Sequence, residues 1–181
     1  MSAAFPMIFR NLKKTPLIMN CIFMNCHTVG STIFVDNEPL TITNCTFINN
    51  HAEYHGGAIW CGSAVNCTFI NNTASLMGGA IMLTLVDAEV INSTFENNKA
   101  IADGGAIGFI GGNVKIEGCI FTNNTAKLHG GVFVSTLGAE IYESTFTNNS
   151  GGERGGVMCV YGGKVMIENS NFANNTASES G

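Results

Sequence analysis

Apolar and polar positions in this chain recur over a long period. The anchor is a phenylalanine, at Phe23, Phe47, Phe69, Phe95, Phe121, Phe146 and Phe172, in steps of 24, 22, 26, 26, 25 and 26 residues. Nothing between the anchors shows the 3.6-residue apolar period of a helix. Each unit gives short strand-like pieces divided by Gly- and Asn-rich turns, as in "GAIGFI", "NVKIEGCIF" and "TNNTAKLHGG" of the fifth unit. A unit of about 25 residues with two or three short strands, stacked in register, predicts a parallel β-helix. The expected fold is all-β: a right-handed, single-stranded, pectin-lyase-like solenoid of about seven coils of 22–26 residues. At strand spacing it would be roughly 35 Å long.

The columns of the repeat have physical reasons. Phe47, Phe69, Phe95, Phe121 and Phe146 would stack their rings inside the coil. Two residues earlier, Cys21, Cys45, Cys67, Ser93, Cys119, Ser144 and Ser170 form a small column on the same inward side. Three residues after the anchor stand Asn50, Asn72, Asn98, Asn124, Asn149 and Asn175, with Cys26 in the first unit. These asparagines are expected at a corner, bonding to the next coil and tolerating left-handed backbone. Nine residues after the anchor come Gly56-Gly57, Gly78-Gly79, Gly104-Gly105, Gly130-Gly131 and Gly155-Gly156. They let the chain enter the next strand without a Cβ clash.

"FINNHAEYHGGAI", "FINNTASLMGGAI" and "FENNKAIADGGAI" repeat this phrase in full, and two later units carry Val in place of Ala. The pattern, from Phe23 to the end, resembles the repeat of polymorphic outer membrane proteins (Pmp), the surface autotransporter adhesins of chlamydiae. Similar repeats occur in adhesin-like archaeal proteins and some protists. The resemblance implies a passenger-type β-helix acting in attachment, at the cell surface, in the outer membrane or outside the cell. The expected partner is a host-cell or neighbouring surface protein or glycan. Residues 20–181 are read as repeats and 1–19 as an N-terminal edge or cap. Because the last unit breaks off on the first glycine of a pair, the chain reads as part of a longer precursor.

Composition narrows the partners. Charged residues are 12% of the chain, only 8 are basic, and the formal charge is -5, so no basic surface for nucleic acid is expected. No apolar run reaches the roughly 20 residues of a spanning helix.

The main rival to an adhesin is a polysaccharide-acting, pectate-lyase-like enzyme; a remoter one is an ice-binding β-helix. For the enzyme, the best column precedes the Gly pair: His55, Met77, Asp103, His129 and Arg154, with Asp103 and His129 one coil apart but no second carboxylate beside them. No catalytic residue is assigned, and no metal or cofactor is expected, since His27, His51, His55 and His129 lack metal-ligand spacing. Thr46, Thr68, Thr94 and Thr145 form an outward column broken by Ile120 and Asn171. The seven cysteines are expected mainly as buried free thiols, although Cys21, Cys45 and Cys67 stack within disulfide reach. Seven Asn-x-Ser/Thr sites begin at Asn44, Asn66, Asn71, Asn92, Asn123, Asn148 and Asn174. The expected contact surface is an apolar stripe after the Gly pair: Trp60, Met82 and Val134, facing out beside Ala58, Ala80 and Val132 while Ile59, Ile81, Ile107, Phe133 and Met158 face in.

Overall fold

The computed structural model describes residues 7–10, 17–35, 40–60, 62–84, 87–111 and 113–179. Within it every coil makes four short strands, and equivalent strands of successive coils pair in parallel to give four seven-stranded sheets. In one coil these are β1 (Ile81–Thr84), β2 (Ala88–Ile91), β3 (Thr94–Glu96) and β4 (Lys99–Ala100). Their sheets are here called the glycine wall, the charged wall, the Phe wall and the short wall. The described part of 1–19 already lies in the sheets: Met7–Phe9 pairs with Ile33–Val35, and Ile18–Met19 with Ile42–Thr43.

The anchor phenylalanines hold register. Phe23, Phe47, Phe69, Phe95, Phe121, Phe146 and Phe172 pair residue for residue along the Phe wall. Their rings stack at 4.7–5.0 Å between centroids and within 12° of parallel. The spacing suits both the strand repeat and offset aromatic contact. The five inner rings are fully buried, whereas Phe172 in the last coil is not. Beside them the small column is inward: Cys45, Cys67, Ser93, Cys119 and Ser144 are each 1% exposed. All six described cysteines are free thiols, and Cys61 lies outside the described residues.

The corner divides its work between two asparagines, where the sequence reading gave both jobs to one. The residue three after Phe is buried and builds the ladder. In Asn98, Nδ2 donates to Phe69 O at 2.9 Å and to Asn124 Oδ1 at 3.0 Å. Its own Oδ1 accepts from Asn72 N and Nδ2 at 3.0 Å each. The left-handed turn belongs to the residue before it: Asn49, Asn71, Asn97, Asn123, Asn148 and Asn174 have φ of 54–56°. A second left-handed column precedes the Phe wall, at Asn20, Asn44, Asn66, Asn92, Gly118, Glu143 and Asn169. There the chain turns between the charged wall and the Phe wall, and only Glu143 departs from Asn or Gly.

The glycine pair marks a close approach between coils. Gly78 has φ +68°, and a Cβ on Gly79 would run into the Gly105 carbonyl and the Lys99 backbone. Gly79 N donates to Gly104 O at 3.2 Å across that contact. A β-carbon has no space there.

Candidate functional site

The outer face of the glycine wall is not a free surface. Ile59, Ile81, Ile107 and Phe133 point inward as the alternation requires, but Met82 and Val134 are also buried, at 1% and 2% exposure. Ala58, Ala80 and Val132 lie in the core itself, and Trp60 is half-buried against it. Two of the turns that precede a Gly pair lie against this face. The His55 ring packs edge-on to Trp60 at 5.2 Å. A Cβ built on Gly108, which pairs with Met82 and Val134, would lie 3.0 Å from Met77 Cβ. Met82 and Val134 of the predicted stripe are therefore covered by their own chain, while Trp60 keeps part of its surface open. Period-two alternation placed it outside because that rule assumes an uncovered sheet.

Polar chemistry gathers in two places. The first is the turn column itself. Asp103 and His129, placed one coil apart by the repeat, meet at 2.8 Å between Oδ1 and Nδ1, and the same carboxylate accepts His129 N at 3.1 Å. A carboxylate only accepts, so this ring nitrogen carries the proton. Arg154 bridges backbone-to-backbone with His129, and its neighbour Glu153 brings Oε2 to 3.5 Å from His129 Nε2. Tyr161 Oη lies 3.3 Å from Nδ1. The sequence supplied Asp103, His129 and Arg154, but missed Glu153, which is one position out of column, and Tyr161, which arrives from the next glycine-wall strand. Both ring nitrogens face carboxylates, an arrangement able to relay a proton between them. His55, Met77 and Asp103–His129 share one column, but only the last two combine chemically; His51 instead bonds Thr73 Oγ1 at 2.7 Å. Among the described residues no group of three or more His, Cys, Asp or Glu could hold a metal ion.

The second place is the charged wall, which the sequence reading did not single out. Inward Val90, Ile116 and Ile141 alternate there with outward side chains that are mostly charged or aromatic. One outward column runs Glu89, Lys115, Glu140 and Met166, and its neighbour Ile91, Glu117, Tyr142 and Glu168. Lys115 Nζ contacts Glu117 Oε2 at 2.6 Å and lies 5.9 Å from the Tyr142 ring centre. The Glu117 bond raises the titration of Lys115 above the ordinary lysine range. Tyr142 Oη donates to Glu140 Oε2 at 3.3 Å. Shallow grooves of about 460 and 480 Å³ flank Lys115 and Glu140. The signal was available as alternation in "AEVI", "VKIE" and "AEIY" at 25–26-residue spacing.

With walls, corners and turns in place, the chain can be set beside known proteins. Residues 7–74 and 78–180 match the family described as right handed beta helix region. The chain belongs to that family. Within this right-handed β-helix, residues 66–84 match the Chlamydia polymorphic membrane protein repeat. That stretch holds Phe69, Asn72, Gly78 and Gly79, the residues that stack, bond and turn in the structure. The solenoid thus carries a Pmp-type repeat at 66–84. Neither the curated proteins nor the solved structures gave a match. Among the described residues no helix is long and apolar enough to cross a membrane.

Proposed function

We propose that this β-helix is a non-catalytic, surface-displayed passenger segment that mediates attachment to a neighbouring cell or surface. The observation that carries the reading is the Pmp-type repeat at 66–84, embedded in a solenoid whose whole length repeats the same phrase. A rigid array that presents equivalent side chains every coil suits adhesion, because weak contacts along it sum to useful avidity. The contact face in this reading is the charged wall around Lys115, Glu140 and Tyr142, whose side chains are solvent-facing. A protein or glycan with paired hydrogen-bonding groups is the fitting partner. Fluorescent chain should bind epithelial cells saturably, and Lys115→Ala with Tyr142→Ala should weaken binding without unfolding the coil. Unchanged binding in the double variant would remove the charged wall from the account.

A second reading has a specific observation in its favour. The contact of His129 with Asp103 and its approach to Glu153 support a polysaccharide-acting enzyme working by acid–base chemistry. It predicts release of new reducing or unsaturated sugar ends, abolished by Asp103→Asn. No sugar release from a panel of acidic and neutral polysaccharides would dispose of it.

A further inference from the structure

Seven Asn-x-Ser/Thr sites were visible in the sequence, and the structure gives them a common placement. Asn44, Asn66, Asn71, Asn92, Asn123, Asn148 and Asn174 are all left-handed corner residues, with φ between 48° and 56°. All seven are exposed. Their side-chain amides make no hydrogen bond within the described residues. Two asparagines of the same corner that lack the motif behave differently: Asn49 Nδ2 bonds Asn25 Oδ1, and Asn97 Nδ2 bonds Glu96 Oε1, both at 3.2 Å. The ladder asparagines, which are buried, never begin a site.

We infer that these seven asparagines are acceptors for N-linked glycan, arranged in two stripes that bracket the Phe wall. Asn44, Asn66 and Asn92 line the corner where the Phe wall begins; Asn71, Asn123, Asn148 and Asn174 line the corner where it ends. The donor class is an oligosaccharide carried on a lipid pyrophosphate. The asparagine Nδ2 forms a bond to the sugar C1, the bond from C1 to the pyrophosphate oxygen breaks, and the amide proton leaves with the lipid pyrophosphate.

The fold dictates when this happens. The middle residue of every site is buried in the finished coil: Cys45, Cys67, Ser93, Asn72, Asn124, Asn149 or, in the last coil, partly buried Asn175. The third residue is tied to the coil below, as Thr68 N is to Cys45 O at 2.9 Å and Thr125 N to Asn98 O at 2.9 Å. A transferase needs that tripeptide free, so transfer precedes stacking. The sugar then stays outside, since the acceptor amide projects from the corner. The pattern also spares one region. In the coils of the Lys115–Glu140–Tyr142 patch, the first stripe holds Gly118, Glu143 and Asn169, none of which begins a site. Glycan would cover both edges of the Phe wall and leave the first-stripe edge beside the charged patch open. The inference holds whether or not that patch is a contact face.

The test is to secrete the full chain from a eukaryotic cell line and release glycans with peptide-N-glycosidase in ¹⁸O-water. Sites are then located by peptide mass spectrometry. Folding failure does not blunt this test, because transfer comes first. Tags in both stripes are expected, with Asn49, Asn97 and Asn169 untagged. Thr46→Ala, which keeps the corner asparagine, should erase the tag at Asn44 alone. An untagged chain, or tags confined to one stripe, would overturn the assignment. Chain refolded from bacteria and offered to purified transferase should remain unmodified; efficient modification there would overturn the order of events.

Discussion

The two neighbouring asparagines at each corner do different work, and Asn98→Ala against Asn97→Ala separates them. Asn98 makes four side-chain hydrogen bonds, two given and two accepted, all at 2.9–3.0 Å and fully buried. At about 1 kcal/mol net for each bond, their loss costs about 4 kcal/mol, and leaving the buried Asn72 amide without its partner adds about 1–2 kcal/mol. The expected penalty is therefore about 5–6 kcal/mol. Asn97 is exposed, with one surface bond to Glu96. Its replacement costs chiefly the left-handed backbone, about 1–2 kcal/mol. Urea unfolding followed by the single Trp60, with hydrogen exchange across residues 67–127, measures both. Because a solenoid is stabilised coil by coil, Asn98→Ala should lose protection first in the coils that contribute Asn72 and Asn124. If Asn98→Ala were no worse than Asn97→Ala, the ladder would not be what joins the coils.

Further expectations follow from single features of the structure. Gly79→Ala should prevent stable stacking, seen as lost cooperative unfolding, because the added carbon meets the Gly105 carbonyl. Glu143→Asn should stabilise by about 1 kcal/mol in the same urea assay, since among the described residues Glu143 alone holds a left-handed φ, 49°, outside the Asn and Gly set. At pH 8 iodoacetamide should label exposed Cys21 quickly and leave Cys119 untouched until the chain unfolds, for burial pushes the Cys119 thiol up to about 12. Burial holds His51 and His55 below the ordinary histidine range, and for His51 the charge of the neighbouring His27 adds to this while Glu53 opposes it. Below about pH 6.5 the unfolded chain therefore binds protons that the folded chain does not, and stability falls with pH from there. Replacing both His51 and His55 by Gln should shrink the drop in urea midpoint between pH 7.5 and 5.5; an unchanged drop would contradict the assignment.

What was legible in the sequence was whatever the period controls. Phe95, Asn98 and Gly104 recur because each must meet its own copy in the next coil, so spacing alone predicted ring stack, ladder and turn. The meeting of Asp103 with His129 was legible for the same reason. The glycine wall misled because periodicity reports which way a side chain leaves the strand, not what later folds over it. Met82 and Val134 point away from the core and are still dry, roofed by the turn that the Gly pair makes possible. Glu153 escaped because it sits one position out of the turn column, and Tyr161 because it reaches the column from the end of the next glycine-wall strand. The charged wall escaped because its signal is alternation within "VKIE"-like strands, weaker than the Phe-x-x-Asn phrase. The left-handed turn was assigned one residue late, since the doubled Asn-Asn hides which of the two turns and which bonds.

Attachment through this right-handed β-helix is a proposal that rests on its Pmp-type repeat at 66–84. The most direct measurement is equilibrium binding of the labelled, folded chain to cultured epithelial cells, with unlabelled chain as competitor. A right-handed β-helix lacking the Phe-x-x-Asn repeat serves as the control. The account predicts saturable, competed binding that strengthens when chains are clustered on beads. Binding no greater than that of the control β-helix, clustered or not, would contradict it.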